Sequence, residues 1–403
     1  MKKRLSYLLI VILILSMFPM SAFAAGPADG AIDEVTVGGS PALSAMQPGT
    51  NYLWVGDTDI NKVTIVDVAT KEVKDTIIFA NTDFTYDICF TSTHAYVSHR
   101  SNSVSVVELS SLRVVETLTV ACSSSGFALS PDNKYLYVAS LKSNEISVFD
   151  TTTNTLHATI TLEGGMGDIS DAIYDPTNDL VYFTNSKQNA SMIMIINART
   201  NRHIDTIVLN SESNAVPTRI DADFANNRLY VATEQGVIYV VDTSQGARIR
   251  ANVVGRSYGI AKSTEDKLYF ADMENEKLRG FDTSGQNEID EIASVDFDSK
   301  TPVGVTLNET RNEVYVSAMG DGKLLILKIA PSIEEDTLTG IEPDTLKLKA
   351  NILASSLPND TVEIGYYIST DPTLSPTNLV ARRWLFMVAK ILSRFFLKKL
   401  LVV

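Results

Sequence analysis

Ser130-Pro131-Asp132-Asn133-Lys134-Tyr135-Leu136-Tyr137-Val138-Ala139 and, five residues on, Asn144-Glu145-Ile146-Ser147-Val148-Phe149-Asp150 decide how this chain folds. Pro, Asp, Asn and Ser cluster where a chain reverses, so residues 130–134 read as a turn and Tyr135–Ala139 as a strand. Ser140–Glu145 makes a second turn, Ile146–Asp150 a second strand, Thr151–Thr155 a third turn and Leu156–Leu162 a third strand. Leu136-Tyr137-Val138 is apolar at consecutive positions, the mark of a strand covered on both faces.

The same unit recurs along the chain. An aromatic between apolar neighbours stands at Trp54, Tyr96, Tyr137, Tyr182, Tyr230, Tyr269 and Tyr315, with successive spacings of 42, 41, 45, 48, 39 and 46 residues. From 12 to 15 positions later an acid or a substitute ends an apolar run: Asp67, Glu108, Asp150, Asn197, Asp242, Asp282 and Lys328. That period is one four-stranded propeller blade. Asn recurs after the aromatic at Asn61, Asn102, Asn144, Asn189 and Asn275, where it reads as a structural turn residue.

Innermost strands are expected at 43–47, 86–90, 126–130, 171–175, 219–223, 259–263 and 304–308, which makes seven blades. After Ile329 no outer strand follows. The missing strand stands at the other end, where Ile32-Asp33-Glu34-Val35-Thr36-Val37 is similar to the outer strands Val115–Val120 and Ile289–Val295. The fold class expected is all-β: a seven-bladed β-propeller closed by an N-terminal outer strand that hides otherwise open edges.

The units resemble the YVTN-type β-propeller repeats of bacterial and archaeal surface-layer and related secreted proteins, over about residues 31–330, on the text quoted above. The resemblance implies the fold. Propellers of this kind host adhesion, lactonase-like and lyase-like activities, so it leaves the function open.

Residues 1–24, with Lys2, Lys3 and Arg4, an apolar run from Leu8 to Met20 and the sequence Ala22-Phe23-Ala24-Ala25, read as a secretory signal peptide. A secreted or cell-surface location follows. Residues 331–344 read as an acidic linker, and 345–380 as the opening of an Ig-like β domain too short to bury a core. Residues 381–403 contain no acid and place Lys390, Arg394 and Lys398 on one helical face. They read either as an out-of-frame or truncated end, the reading we take, or as an amphipathic membrane helix.

The signal segment holds three basic residues and the last 23 hold six, so Ala25–Val380 carries 25 Lys and Arg against 48 acids, a net charge of −23. Nucleic acid and anionic lipid are repelled by such a body. Cys89 and Cys122 fall at comparable places in neighbouring repeats; a bridge between them is open, and a pair of buried free thiols is the reading we take.

His94, His99, His157 and His203 occupy different repeat positions: a hairpin before the aromatic, a turn after it, and two outer strands. A His-based metal centre would need equivalent inner positions. The better candidates lie on loops entering the inner strands: Asp83, Asp87, Asp168 and Asp171, with Arg219, Arg256 and Tyr258 from later blades. The loops Gly56–Asn61, Ser98–Ser103 and Asp272–Lys277 should open on the same face and differ in charge, which suits an irregular partner. The preferred function is therefore a noncatalytic binding or scaffold propeller for a surface protein or cell-wall glycan, with no cofactor. The alternative is a lactonase-like or lyase-like enzyme holding Ca²⁺ on the carboxylates.

Overall fold

The computed structural model describes residues 32–80, 84–163, 167–187, 190–210, 216–244, 248–252, 255–285, 289–298, 300–329, 333–335, 345–352 and 362–369. The signal segment, the basic tail and Asn189 lie outside them. The chain divides into two units, at Ala330 and Pro331.

Each repeat of the first unit is a four-stranded antiparallel sheet. Blade 1 runs Pro41–Met46, Tyr52–Asp57, Lys62–Asp67 and Glu72–Ile78, and blade 3 runs Ser124–Leu129, Tyr135–Ser140, Glu145–Asp150 and Thr155–Thr161. The inner strands of blades 2, 4, 5, 6 and 7 are Thr85–Phe90, Asp168–Asp175, Pro217–Asp223, Ile260–Lys262 and Pro302–Asn308. Each packs on the inner strand of the next blade, and the seventh returns to the first. The second and third strands are buried at consecutive positions, as in Leu136–Ser140 and Ile146–Phe149. Neighbouring blades supply the cover: Tyr137 and Ile146 of blade 3 share a core with Ile169, Val181 and Phe183 of blade 4.

The ring closes through the N-terminal segment. Asp33–Thr36 pairs antiparallel with Lys323–Ile326 and becomes the outer strand of blade 7. Val37 and Gly38 then donate their amides to the Gly322 carbonyl at 2.9 and 2.8 Å. Val35 is buried with Leu53 and Val66 of blade 1 and with Tyr315 and Leu324 of blade 7, and Glu34 bonds Lys300 and Lys323.

The repeated residues have defined work. The acid that ends each third strand caps the following hairpin: Asp67 Oδ1 accepts from the Ala69 amide at 2.9 Å, Asp150 from Thr152 at 2.9 Å, and Asp242 and Asp282 from Ser244 and Ser284 at 2.8 Å. Blade 7 has no such hairpin, because its fourth strand comes from the other end of the chain. Lys328 stands there without the capping duty, and its ammonium bonds the buried Glu313 carboxylate at 2.7 Å. The repeated tyrosine staples one blade to the next. Tyr96 donates to Asn154 Oδ1 at 2.8 Å in blade 3, and Tyr137 to the Ala198 carbonyl of blade 4 at 3.3 Å. Tyr269 stands against blade 7, where the tail of the third strand is Ile329, and its hydroxyl has no partner among the described residues. Tyr96→Phe should therefore cost about 1 kcal/mol, while Tyr269→Phe should be neutral or stabilising; thermal melts of the two variants check the contrast.

The turn asparagines serve the backbone: the carbonyls of Asn61, Asn102 and Asn144 accept the amides of Phe79, Val120 and Leu162, which follow the outer strands. His99 departs from its expected place in a turn. It is the last residue of a second strand, fully buried, with Nε2 2.8 Å from Ser105 Oγ. Cys89 and Cys122 are unpaired and half-buried rather than fully buried, and burial pushes the Cys89 thiol well up.

The second unit contains Ile333–Glu335, Thr345–Ile352 and Val362–Ser369 in one antiparallel sheet. The acidic stretch expected as linker thus supplies a short strand against Ala350–Ile352. An edge strand needs only backbone donors and acceptors on one side, and charges are tolerated there.

Candidate functional site

Six of the inner strands carry a register shift at the channel side, which takes one or two residues out of the ladder. Such bulges re-aim a side chain. The freed amides of Asp87 and Asp171 are caught by hydroxyls of their own second strands, Ser98 Oγ at 2.8 Å and Thr184 Oγ1 at 2.9 Å.

Two positions before the residue that faces the repeat aromatic stand Leu43, Asp87, Gly126, Asp171, Arg219, Gly259 and Gly304, all in the inner strands except Gly259, which directly precedes one. The three glycines are required by close approach. A Cβ on Gly126 would strike the Asp171 backbone, one on Gly259 the Val303 carbonyl, and one on Gly304 the Ala42 carbonyl. The charged members meet across the channel. Arg219 Nη1 lies 2.9 Å from Asp171 Oδ1 and 3.7 Å from Asp87 Oδ2, and Nη2 donates to the Tyr86 carbonyl of blade 2 at 3.4 Å. Its guanidinium carbon sits 5.5 Å from the Tyr86 ring centroid. Blade 5 is thereby tied to blade 2, and the channel has a floor.

Both carboxylates also hold the next blade. Asp87 Oδ2 accepts the Phe127 amide at 2.9 Å and Asp171 Oδ2 the Ile220 amide at 3.0 Å; Asp221 repeats the device on the Lys262 amide at 2.7 Å. Burial raises Asp87 and Asp171 above the usual carboxylate range even though Arg219 and the backbone amides pull the other way. Burial likewise pushes Asp221 up to about 6. The same desolvation acts on Arg219, but its two carboxylate partners hold it firmly protonated.

Above this floor opens a cavity of about 400 Å³. Its wall is a hydrogen-bonded frame repeated around the ring. In six of the seven blades the residue after the second strand donates its amide to a residue ahead of the inner strand: Thr58 to Ser40, Arg100 to Phe84, Leu141 to Ser123, Glu234 to Val216, Met319 to Thr301 and, with a longer entry into the strand, Met273 to Arg256. The backbone is constant while the side chains differ. This is the expected common face of the post-aromatic loops, since Thr58, Arg100 and Met273 all line it.

The structure brings together six of the seven residues singled out in the sequence; Asp83 lies outside the described residues. Asp87, Asp171 and Arg219 form the floor. Asp168, Arg256 and Tyr258 line the cavity above, where Asp168 accepts the Lys142 amide at 3.1 Å and Tyr258 donates to Glu234 at 2.7 Å. Asp87 and Asp171 are thus committed to Arg219 and to backbone amides rather than standing as oxygen donors on an open rim. Among the described residues no group of three or more His, Cys, Asp or Glu is placed to hold a metal ion. Sequence reasoning missed Phe84, Tyr86, Lys142, Glu234 and Met319. All six amide donors of the frame share one signal: Thr58, Arg100, Leu141, Glu234, Met273 and Met319 each stand four positions after a repeat aromatic.

No family model and no curated protein matches the chain. Solved structures do. The chain is similar to Kuenenia stuttgartiensis hydrazine synthase, with a TM-score of 0.65 and 18% identity, covering 75% of this chain and 99% of that one. It is similar also to the β-propeller domain of Cps50 (Swd1) from Myceliophteria thermophila, with a TM-score of 0.61 and 14% identity over 73% and 99%. A likeness this remote in sequence carries architecture and not chemistry. Together with the seven blades and their closure, it identifies the first unit as a seven-bladed β-propeller.

Proposed function

We propose that this is a secreted, cell-surface binding propeller that recognises a surface protein or cell-wall glycan through the walled cavity on its loop-bearing face. The observation that supports this reading most is the division of labour at the channel. The candidate acid-base groups, Asp87 and Asp171, are spent on joining blades, and Arg219 floors the cavity. A concave site with a constant frame and unlike side chains from every side suits recognition. The reading calls for neither a metal nor a cofactor.

The test is attachment of the intact chain to isolated cell envelopes, compared with a Met273→Trp variant that fills the cavity. Loss of attachment in the variant, with lactone and ester hydrolysis at background in both, supports the reading. Equal attachment of both would place recognition elsewhere. Ca²⁺-dependent lactone opening abolished by Asp87→Asn would replace the binding function with the enzymatic one.

A further inference from the structure

In a chain with this excess of acids, most cations find one: Lys62, Lys262, Arg279 and Lys323 all sit in ion pairs. Lys74, Arg113 and Arg202 stand on exposed outer strands, in open water. Arg100, Lys142 and Arg256 are exposed too, but differ in placement. They line one cavity, yet none has an ion-pair partner among the described residues.

The two carboxylates of the lining form no ion pair with them among the described residues, though each keeps its charge. Asp168 is occupied by the Lys142 backbone amide and Glu234 by the Tyr258 hydroxyl. Arg100 lies over the Phe84 ring, its guanidinium carbon 5.4 Å from the centroid, which orients the fork while leaving its N–H groups available. At this one concave spot three cations without an ion-pair partner among the described residues stand against two carboxylates, in a body with the opposite excess.

The remaining lining narrows the ligand. Phe84, Tyr86 and Tyr258 offer ring surface, and Asp168 and Glu234 retain acceptor capacity, because a carboxylate has about four lone-pair sites. A phosphate or a small dicarboxylate would have no use for those acceptors and would be repelled by them. A ligand with one carboxylate, several hydroxyl donors and an apolar ring face uses every part. The floor under the cavity admits a chain end rather than a chain running through, and about 400 Å³ is within the range that holds a small ligand.

Resting on the binding function proposed above, we infer that the cavity takes the terminal carboxylate-bearing sugar of an acidic glycan, a uronate unit, with its carboxylate on Arg100 and Arg256 and its ring against Phe84 and Tyr258.

Isothermal titration of the full chain with glucuronate- and galacturonate-containing disaccharides, their neutral glucose and galactose counterparts, and a short Asp/Glu-rich peptide tests this. Expected is binding of a uronate disaccharide that weakens with added salt. The neutral counterpart should bind at least 10-fold more weakly, and Arg100→Ala/Arg256→Ala should lose at least 10-fold in affinity with its melting temperature kept. Should that double variant misfold, Met273→Trp provides the same readout. Absence of uronate binding, equal binding of the neutral sugar, or binding of the peptide alone would each overturn the assignment. If uronates fail while Met273→Trp still abolishes envelope attachment, the sugar assignment falls and the binding reading stands. If attachment survives Met273→Trp, both fall.

Discussion

Arg219→Ala should lower the melting temperature by on the order of 10 °C, more than a typical single change in a protein of this size. The substitution removes one side chain but strands two carboxylates, Asp87 and Asp171, in the channel floor. Breaking a buried pair by taking one partner costs about 3–5 kcal/mol, because the charge left behind is uncompensated. Its pH dependence has a definite sign. In the folded protein Asp87, Asp171 and Asp221 hold protons more tightly than ordinary carboxylates, so between the unfolded value and the raised folded one the native state binds more protons. Their contribution is therefore fully present below about pH 4 and falls as pH rises toward about 6. Without Arg219 the folded values of Asp87 and Asp171 rise further. The variant should be hurt least at pH 5 and most at pH 8. Melts across that range check it, and Asp87→Asn/Asp171→Asn placed in the Arg219→Ala background should recover much of the loss.

Val35→Asp should unlatch the ring. Val35 is buried at the seam between blades 7 and 1, so the change both removes apolar contact and buries an unpaired acid, at a cost of about 3–5 kcal/mol. The loss is not spread evenly. Hydrogen exchange should show the amides of Lys323–Ile326, which pair with Asp33–Thr36, losing protection first, while the strands of blade 3 keep theirs. An exposed outer edge on blade 7 should also make the variant prone to self-association, measurable by light scattering. Uniform loss of protection around the ring would contradict a local latch.

The architecture was legible because each repeated residue answers to a local requirement that recurs with every blade. Tyr96 and Tyr137 recur as an aromatic with a hydroxyl because that hydroxyl reaches the turn of the next blade, and Asp67, Asp150 and Asp282 recur because each caps a hairpin. The weakest copy of the motif, Lys328, was weak for the same reason: the hairpin it would cap does not exist, since the fourth strand arrives from Asp33–Thr36. Part of the cavity's lining was legible in the sequence, and its contacts were not. Spacing placed Asp87, Asp171 and Arg219 near the inner strands but could not show that they meet across the channel, because their contacts depend on ring closure and on glycines at 126, 259 and 304 that let backbones approach. The cations of the wall were hidden differently. Arg100 and Lys142 look like ordinary loop charges until the frame places them on one cavity with no ion-pair partner among the described residues.

The most direct test of the cavity as the recognition site uses two methionines that line it, Met273 and Met319. Their ¹³C-labelled methyl signals would be followed by NMR while soluble glycan and protein fragments of the cell envelope are titrated into the protein. These two signals should shift or broaden while those of Met192 and Met194, packed in the core between blades 3 and 4, stay in place. Saturable binding that leaves Met273 and Met319 unmoved would contradict a recognition role for the cavity.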